Sequence, residues 1–264
     1  ITQLSPVLLE TDRKRREKAW RLAAERRLKD REKINEIWQK ILEIRIKIAE
    51  NANFDNYRSW RWEYLKRFDY TPEDCLNFHS GIEKVVKPFV NKLIKERKEQ
   101  LGLDVLKPWD LSVDTFNRDP LTPFEDAAEL EEKCHNIFNA VDNDLGKHFS
   151  IMREQKLLDL ANRKGKAPGG YCTEYYYRRL PFIFMNAVGT HSDVQTMIHE
   201  GGHAFHVFES ADLPYASQRD VGMEFAEVAS MAMELLTSPF LTEDDGGFYT
   251  RQDSSRARIE HLEK

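Results

Sequence analysis

Two histidines and a glutamate in the last third of the chain have the spacing of a zinc site. His199, Glu200 and His203 form the pattern H-E-x-x-H. On a helix, residues four apart lie on the same face, because each residue turns the chain by about 100°. The two imidazoles can therefore bind one Zn²⁺ per chain, and Glu200 flanks the ion as a proton acceptor. The chemistry that this pattern predicts is hydrolysis by a metal-activated water.

The residues around this pattern, within the stretch Thr190–Ser210, predict an amphipathic helix. Ser192 with Gln195 three positions later is typical of a capping box, and Asp193 suits the positive end of a helix dipole. A buried face is predicted by four apolar residues at helical spacing: Val194, Ile198, Phe205 and Phe208. This helix is expected to position the metal ligands.

Two glycines interrupt the helical pattern next to the predicted ligands. Gly201 and Gly202 are unexpected there, since a glycine inside a helix costs roughly 1 kcal/mol relative to alanine. We expect a second backbone segment to approach the helix closely at this point. His206 lies within about 20° of His199 but a further turn along, which is too far for a shared tetrahedral site. His206 is therefore predicted to support the site from behind the ligands or to belong to the core.

A catalytic zinc usually has three protein ligands, so a third ligand is expected outside the pattern. The stretch Val221–Leu236 predicts a second helix with three candidates, Glu224, Glu227 and Glu234. Glu224 and Glu227 lie three residues apart on one face, so one can bind the metal while the other orients a ligand. An exposed position for both is the alternative that the spacing leaves open. Burial is favoured by their apolar neighbours: Phe225, Ala226, Val228, Ala229 and Met231.

Composition restricts the class of protein. The 264 residues are 41% hydrophobic, which is enough for a folded core, and the net charge of −5 gives no reason to expect nucleic acid as a partner. Residues 11–33 are rich in Lys and Arg, but interspersed acids favour a solvated helix face over a nucleic-acid patch. No apolar run reaches the ~18 residues of a membrane span. Cys75, Cys134 and Cys172 lack a C-x-x-C motif, which predicts reduced thiols and a cytoplasmic protein.

Helical patterns dominate the first 160 residues, and extended patterns follow them. Residues 171–177 and 180–186 predict two strands of a small sheet that leads directly into the H-E-x-x-H helix. An extended segment beside a metal can pair with a peptide backbone, and an ordinary buried strand is an equal alternative. Before this sheet, the sequence predicts helices at 11–51 (one, or two in line), 71–80, 81–101, 124–141 and 145–160. It also predicts a connection at 102–124 that contains a short strand at 109–113.

These patterns together resemble a known family. HEGGHAFH with EFAEVASMAMELL downstream, and KGKAPGGYC leading into PFIFMN upstream, is similar to the oligoendopeptidase F family of zinc metallopeptidases, relatives of thimet oligopeptidase. The similarity extends over the whole chain, and three motifs in order are more specific than H-E-x-x-H alone. The resemblance implies a mainly α, multi-helix zincin-type fold with a small β-sheet next to the H-E-x-x-H helix.

The resemblance also implies a role for individual residues. His199 and His203 become the first two zinc ligands, and Glu200 becomes the catalytic glutamate. Glu227, 24 residues after His203, becomes the third ligand, and Glu224 a group that supports the ligands. Peptide-binding residues are implied in the glycine loop and in the PFIFMN strand: Gly169, Gly170, Tyr171, Phe184, Met185 and Asn186.

The implied activity is zinc-dependent internal cleavage of short peptides in a deep channel that excludes folded proteins. Family members are considerably longer, so residues 1–264 are expected to be the central portion of a catalytic domain. Within them, 1–160 form a helical region, and 161–264 hold the small sheet and the zinc-binding helices. Histidine and tyrosine side chains that hold the substrate in the family have no counterpart after His261, so further catalytic residues are expected outside this sequence.

Two alternative functions share parts of this pattern. The first is a zinc carboxypeptidase of related helical fold, which internal cleavage of a blocked peptide would distinguish. The second is a non-catalytic helical binding module with a structural metal, in which residues 11–33 contact a partner. Glu200 argues against the second alternative, because a structural zinc site needs no proton acceptor. We expect short peptides as partners, and neither nucleic acid nor a membrane.

Overall fold

The computed structural model describes residues 2–263, and most of them are helical. Strands β1 (Leu158–Ala161), β2 (Tyr171–Tyr175) and β3 (Leu180–Ala187) form one sheet. The prediction of a mainly α fold with a small sheet is therefore confirmed. None of the helices in the described residues is long and apolar enough to cross a membrane. The α-helices are α1 (Arg13–Leu28), α2 (Arg31–Asn51), α3 (Tyr57–Tyr64), α4 (Pro72–Gln100), α5 (Ala127–Val141), α6 (Asn143–Glu154), α7 (His191–Ser210), α8 (Ala216–Arg219), α9 (Met223–Thr237) and α10 (Arg251–Leu262).

The chain divides into two compact units. One is Val7–Asp119, and the other is Pro120–Lys264 with Ile1–Pro6. The boundary lies within the proline-containing connection at 102–124. Helices α5 and α6 belong with the sheet and α7 in the second unit, although the sequence groups them with the earlier helices. The second unit contains every residue of the predicted metal site.

Two local predictions for the unit Val7–Asp119 are wrong. Helix α4 runs without a break through Gly81, where the sequence predicts a boundary between two helices. A strand at 109–113 is also absent, because Pro108–Asp110 form a 3₁₀ helix. Arginine side chains explain this difference, since Arg16 Nε donates to the Trp109 carbonyl at 2.8 Å and Arg97 Nε donates to the Asp110 carbonyl at 3.0 Å. These carbonyls therefore have partners without a neighbouring strand.

Asp110 is the charged centre of this unit. Its carboxylate is fully buried and accepts hydrogen bonds from Arg13 at 2.8 and 2.9 Å and from Arg16 at 3.2 Å. The hydrogen bond from Arg13 is the main reason that the pKa of Asp110 is lowered to about 2. The ion pairs join α1 to the 3₁₀ helix.

This buried carboxylate gives the unit an acid-sensitive stability. Because the folded pKa lies below the ordinary value of about 3.9, the stabilisation is complete above pH ~4 and is lost as the pH falls towards 2. The shift corresponds to about 2 kcal/mol of unfolding free energy. Urea unfolding from pH 5 to pH 2 should show the difference between the parent chain and Asp110→Asn shrinking over this interval. An equal difference at all pH values would contradict the prediction, and Asp55→Asn, at an exposed position, is the control.

The sheet of the second unit has the strand order β1-β3-β2. Strand β1 is parallel to β3, and β2 is antiparallel to it, with Cys172 opposite Ile183. The predicted helix at 145–160 is therefore wrong beyond Glu154. Lys156 has a φ of 56°, which ends the helical path, and Ile183 N then donates to the Leu157 carbonyl at 3.0 Å. Sequence periodicity did not identify the short strand that follows.

The core of this unit lies between the sheet and helices α5, α6 and α7. Phe138, Phe149 and Ile183 are fully buried. The ring of Phe138 contacts Phe149 and Phe205 with centroid distances of 5.1 and 4.9 Å. This packing fixes α7 against both the sheet and α5.

Candidate metal centre

The N-cap residue of helix α7 lies two residues before the one that the sequence predicts. Thr190 is the N-cap residue, and Asp193 accepts hydrogen bonds from Thr190 N at 2.8 Å and Thr190 Oγ1 at 2.9 Å. Asp193 also accepts from Val188 N at 3.0 Å. The predicted box of Ser192 and Gln195 is therefore wrong, although the favourable position of Asp193 in the first turn is confirmed. The cap ties the end of β3 to the start of the helix.

The predicted buried face of α7 is confirmed. Val194, Ile198 and Phe205 are 0–3% exposed, and Phe208 packs against the same core. The opposite side of the helix carries His199 and His203, which are partly accessible, with side-chain exposures of 28% and 21%. The helix therefore holds the two imidazoles at the rim of a packed core.

The expected close approach of a second backbone segment is confirmed at Gly202. A Cβ atom there would lie 2.6 Å from the carbonyl oxygen of Ala229 and 2.6 Å from the Cα of Ser230. Both atoms belong to α9. Gly201 has a different reason, because its Cβ would lie 2.6 Å from the ring of Phe138. Of the two glycines, Gly202 is therefore the one that permits the close approach of α9.

We predict that Gly202→Ala separates α7 from α9. The new methyl group meets backbone atoms, so the change should lower the unfolding free energy by about 1–3 kcal/mol. Glu227 would move away from the histidines with α9, so zinc affinity should fall roughly tenfold, as it does when groups that support a ligand are lost. Denaturant unfolding and chelator competition measure the two effects.

Gly201→Ala is the matched control for this change. Its new methyl group would also overlap neighbouring atoms, but these belong to the Phe138 side chain and not to the backbone of α9. We expect lower stability with little change in zinc affinity. Equal losses of zinc affinity in the two variants would contradict a specific role for the α7–α9 distance.

The structure brings His199, His203 and Glu227 together from α7 and α9. One ligand atom of each residue lies within 4.8 Å of the other two. Glu227 Oε2 is 3.3 Å from His199 Nε2 and 3.7 Å from His203 Nε2. Two ligands bound at ~2.1 Å to a tetrahedral zinc lie about 3.4 Å apart, so these atoms have the spacing of donors that share one ion.

Residues of α9 orient all three side chains. Glu234 Oε1 lies 2.6 Å from His199 Nδ1, which leaves His199 Nε2 directed towards Glu227. The His203 ring is hydrogen-bonded to the backbone of Ala226. Ser230 Oγ donates to Glu227 Oε2 at 2.9 Å. A carboxylate behind a metal-binding histidine is a common arrangement, and it fixes the tautomer and orientation of the ring.

The sequence predicts Glu234 only as a candidate ligand. Its role beside His199 was missed because the pairing joins two helices. The available signal was its spacing, since Glu234 lies two turns after Glu227 on the same helix. Glu224, which the resemblance places behind the ligands, is exposed in the first turn of α9. His206 is half-buried one turn beyond His203. Supporting roles for both residues stay predictions.

Glu200 lies beside the three clustered side chains and is only 8% exposed. Burial raises the pKa of its carboxyl, while His199 and a hydrogen bond from the Cys172 backbone oppose this increase. A carboxyl whose pKa is raised towards the working pH is suited to accept and return a proton. Burial also raises the pKa of the Cys172 thiol to about 12, so this thiol stays protonated and is a poor nucleophile.

The predicted burial of α9 is wrong for its outer face. Phe225, Val228 and Met231 are 60–70% exposed. Only a narrow face is buried, with Ser230 at 0% and Met233 at 7% exposure. The apolar neighbours therefore do not bury Glu227, and 42% of its side chain is accessible. Its approach to the histidines follows from the short α7–α9 distance.

The predicted peptide-binding loop touches α7 one turn before His199. A Cβ atom on Gly170 would lie 3.1 Å from Thr196 Cγ2, and Gly169 has a φ of 105°. The Asn186 side chain is buried and donates to the Ala167 carbonyl at 2.8 Å and the Gly169 carbonyl at 3.0 Å. Asn186 therefore holds this loop in place.

The remaining predicted peptide-binding residues fall into two groups. The rings of Tyr171 and Phe184 stack with a centroid distance of 5.0 Å, and Tyr171 is 49% exposed. Met185 is 1% exposed and lies in the core, so only its backbone is available to a peptide. Strand β3 is the central strand of the sheet, so its edges are already paired. Within the described residues, β2 is the edge strand that lies next to Glu200.

Comparison with known proteins identifies the family of this chain. The model of peptidase family M3 matches residues 7–264. The chain belongs to peptidase family M3. The predicted resemblance to oligoendopeptidase F is thereby confirmed.

Curated relatives of this M3 chain are bacterial oligopeptidases. It is 27% identical over 219 residues to the group B oligopeptidase PepB of Streptococcus agalactiae, covering 80% of this chain and 35% of that protein. It is also 27% identical over 219 residues to an oligoendopeptidase F homolog of Lactococcus lactis, again covering 80% of this chain and 35% of that protein. The M3 chain therefore spans about a third of the length of these relatives.

Solved structures of M3 relatives share the fold. PZ peptidase A in complex with an inhibitor aligns with a TM-score of 0.92 at 31% identity, over 99% of this chain and 45% of that chain. A Bacillus anthracis protein described as an oligoendopeptidase F aligns with a TM-score of 0.91 at 28% identity, over 99% of this chain and 47% of that chain. The described architecture is therefore that of a segment shared by these peptidases.

Proposed function

We propose that this chain contributes the metal-binding core of a zinc-dependent endopeptidase that cleaves short peptides. The observation that carries the proposal is the convergence of His199, His203 and Glu227 beside the buried carboxyl of Glu200. The names of the relatives, oligopeptidase and oligoendopeptidase F, support the same reaction class.

The three donors fit a zinc ion. Two imidazole nitrogens and one carboxylate oxygen are a usual donor set for catalytic zinc, and three protein ligands leave a position open for chemistry. The 3.3 and 3.7 Å separations between Glu227 and the histidine nitrogens suit one shared ion. When bound, zinc supplies Lewis-acid chemistry that polarises a carbonyl and makes water more acidic.

Glu200 accepts the proton of the attacking water and returns it to the leaving amine. Burial raises the pKa of its carboxyl, which is the direction that favours uptake of a proton by this group. The hydrogen bond from the Cys172 backbone fixes the carboxyl next to β2. A general base held by both a helix and a strand has little freedom to turn away from the reacting groups.

A peptide substrate would lie along the free edge of β2. Extended peptides add to exposed sheet edges through backbone hydrogen bonds, while pockets beside the strand select side chains. The exposed ring of Tyr171, stacked on Phe184, would contact one such side chain. The loop at Gly169 and Gly170, which Asn186 anchors, would border the same path.

One experiment tests the proposal against both alternatives. Zinc content is measured by elemental analysis after exhaustive dialysis, and a peptide blocked at both ends is incubated with the chain and analysed by mass spectrometry. One zinc per chain with internal cleavage supports the proposal. The unblocked form of the same peptide is incubated in parallel, because cleavage of only the unblocked form would indicate a carboxypeptidase. Internal cleavage of the blocked peptide excludes a purely structural metal. A folded chain without zinc would overturn the proposal.

A further inference from the structure

Glu234 uses its two carboxylate oxygens on two different histidines. Oε1 lies 2.6 Å from His199 Nδ1, and Oε2 lies 3.2 Å from His261 Nε2. His261 is in the last turn of α10, a helix that provides none of the clustered metal donors. The side chains of Glu234 and His261 are only 20% and 22% exposed, so water competes weakly for these contacts.

A fourth side chain fixes the ring of His261. The Gln195 amide nitrogen lies 2.7 Å from His261 Nδ1. An amide N–H₂ group only donates, so His261 Nδ1 must accept this hydrogen bond. The proton of the neutral imidazole is then on Nε2, where it points at Glu234. Gln195 therefore selects the tautomer that can donate to the carboxylate.

We propose that Gln195 and His261 are positioning residues for the metal site. They hold the Glu234 carboxylate, which in turn sets the orientation of the His199 ring. The arrangement joins α7, α9 and α10 in one line of polar contacts. This inference rests on the proposed zinc site and extends it to two residues outside the cluster of metal donors.

The physical reason is the freedom of a glutamate side chain. A carboxylate held at only one oxygen can rotate about several bonds, and the histidine that it orients then moves with it. A donor at the second oxygen removes this freedom before an ion binds. Loss of a group that hydrogen-bonds to a metal ligand typically lowers metal affinity by about 10- to 100-fold. Residues that hold such a group, as Gln195 and His261 do, should have an effect at or below the lower end of this range.

The test measures zinc affinity of the whole chain by competition with a chelator of known affinity. His261→Leu should weaken zinc binding about tenfold, and Gln195→Leu about threefold. His261→Gln keeps an N–H donor on a side chain of similar reach, so it should restore most of the affinity. His79→Leu, at an exposed histidine on α4, is the matched control for losing an imidazole, and Leu262→Ala is the control for α10.

A cobalt-substituted chain provides a second measurement that fold stability alone does not change. The visible absorption of bound Co²⁺ reports the geometry of its ligands, so His261→Leu should shift the spectrum and His261→Gln should shift it much less. Unchanged zinc affinity and cobalt spectrum in folded His261→Leu would overturn the inference. If that variant does not fold, His261→Gln and Gln195→Leu decide in its place. A folded parent chain without zinc would instead reject the zinc site itself, so the two failures are distinguishable.

Discussion

Glu200→Gln should lower kcat/KM for peptide hydrolysis by about 10²–10⁴-fold, the range that general acid–base catalysis contributes. Glutamine keeps the size of the side chain and its hydrogen bond from the Cys172 backbone but cannot accept the proton. Zinc content should stay at the parent value, because Glu200 is not among the clustered donors. Steady-state kinetics on a blocked peptide, with elemental analysis of the same sample, measure both quantities.

Glu209→Gln is the matched control for this loss. It changes the same type of side chain on the same helix, at an exposed position near His148. Activity should stay within about twofold of the parent, as for most surface substitutions. Activity of Glu200→Gln near the parent value would show that another group accepts the proton.

Glu227→Ala should weaken zinc binding by about 100-fold or more. Zinc sites of four ligands bind with ~10–16 kcal/mol, so one ligand corresponds to roughly 3 kcal/mol. Each 1.4 kcal/mol is about a factor of ten in affinity. Chelator competition on the folded variant measures the loss, and circular dichroism checks the fold.

The two other glutamates of α9 provide a graded comparison. Glu234→Ala removes the group that orients His199 and should weaken zinc binding by about 10- to 100-fold. Glu224→Ala should have the smallest effect, since its side chain is exposed at the start of the helix. A larger loss for Glu234→Ala than for Glu227→Ala would reverse the assignment of the third ligand.

Local patterns in the sequence were sufficient to predict the main part of the candidate site. The spacing of His199, Glu200 and His203 depends only on helix geometry, so it could be predicted without tertiary structure. Gly202 could likewise be interpreted as a point of close approach, because a glycine inside a helix is unfavourable without a packing reason. Both features lie within a single helix.

Features that depend on contacts between elements were missed. Strand β1 is too short for periodicity to identify, and it forms because β3 offers a free edge beside it. The pairing of Glu234 with His199 requires the mutual orientation of α7 and α9, which sequence spacing does not contain. The exposed outer face of α9, with Phe225 at 70%, shows that an apolar helix pattern predicts the helix but not which faces are covered.

The contact between Gly202 and the Ala229 carbonyl has a consequence for the energetics of metal exchange. Since the backbones of α7 and α9 already touch, the donors are assembled by folding, and an incoming ion needs to immobilise little of the chain. Small zinc domains behave differently, because in them the ion itself drives folding and chelators denature the protein. Here a chelator should leave a folded apoprotein that takes up zinc, cobalt or manganese again without refolding.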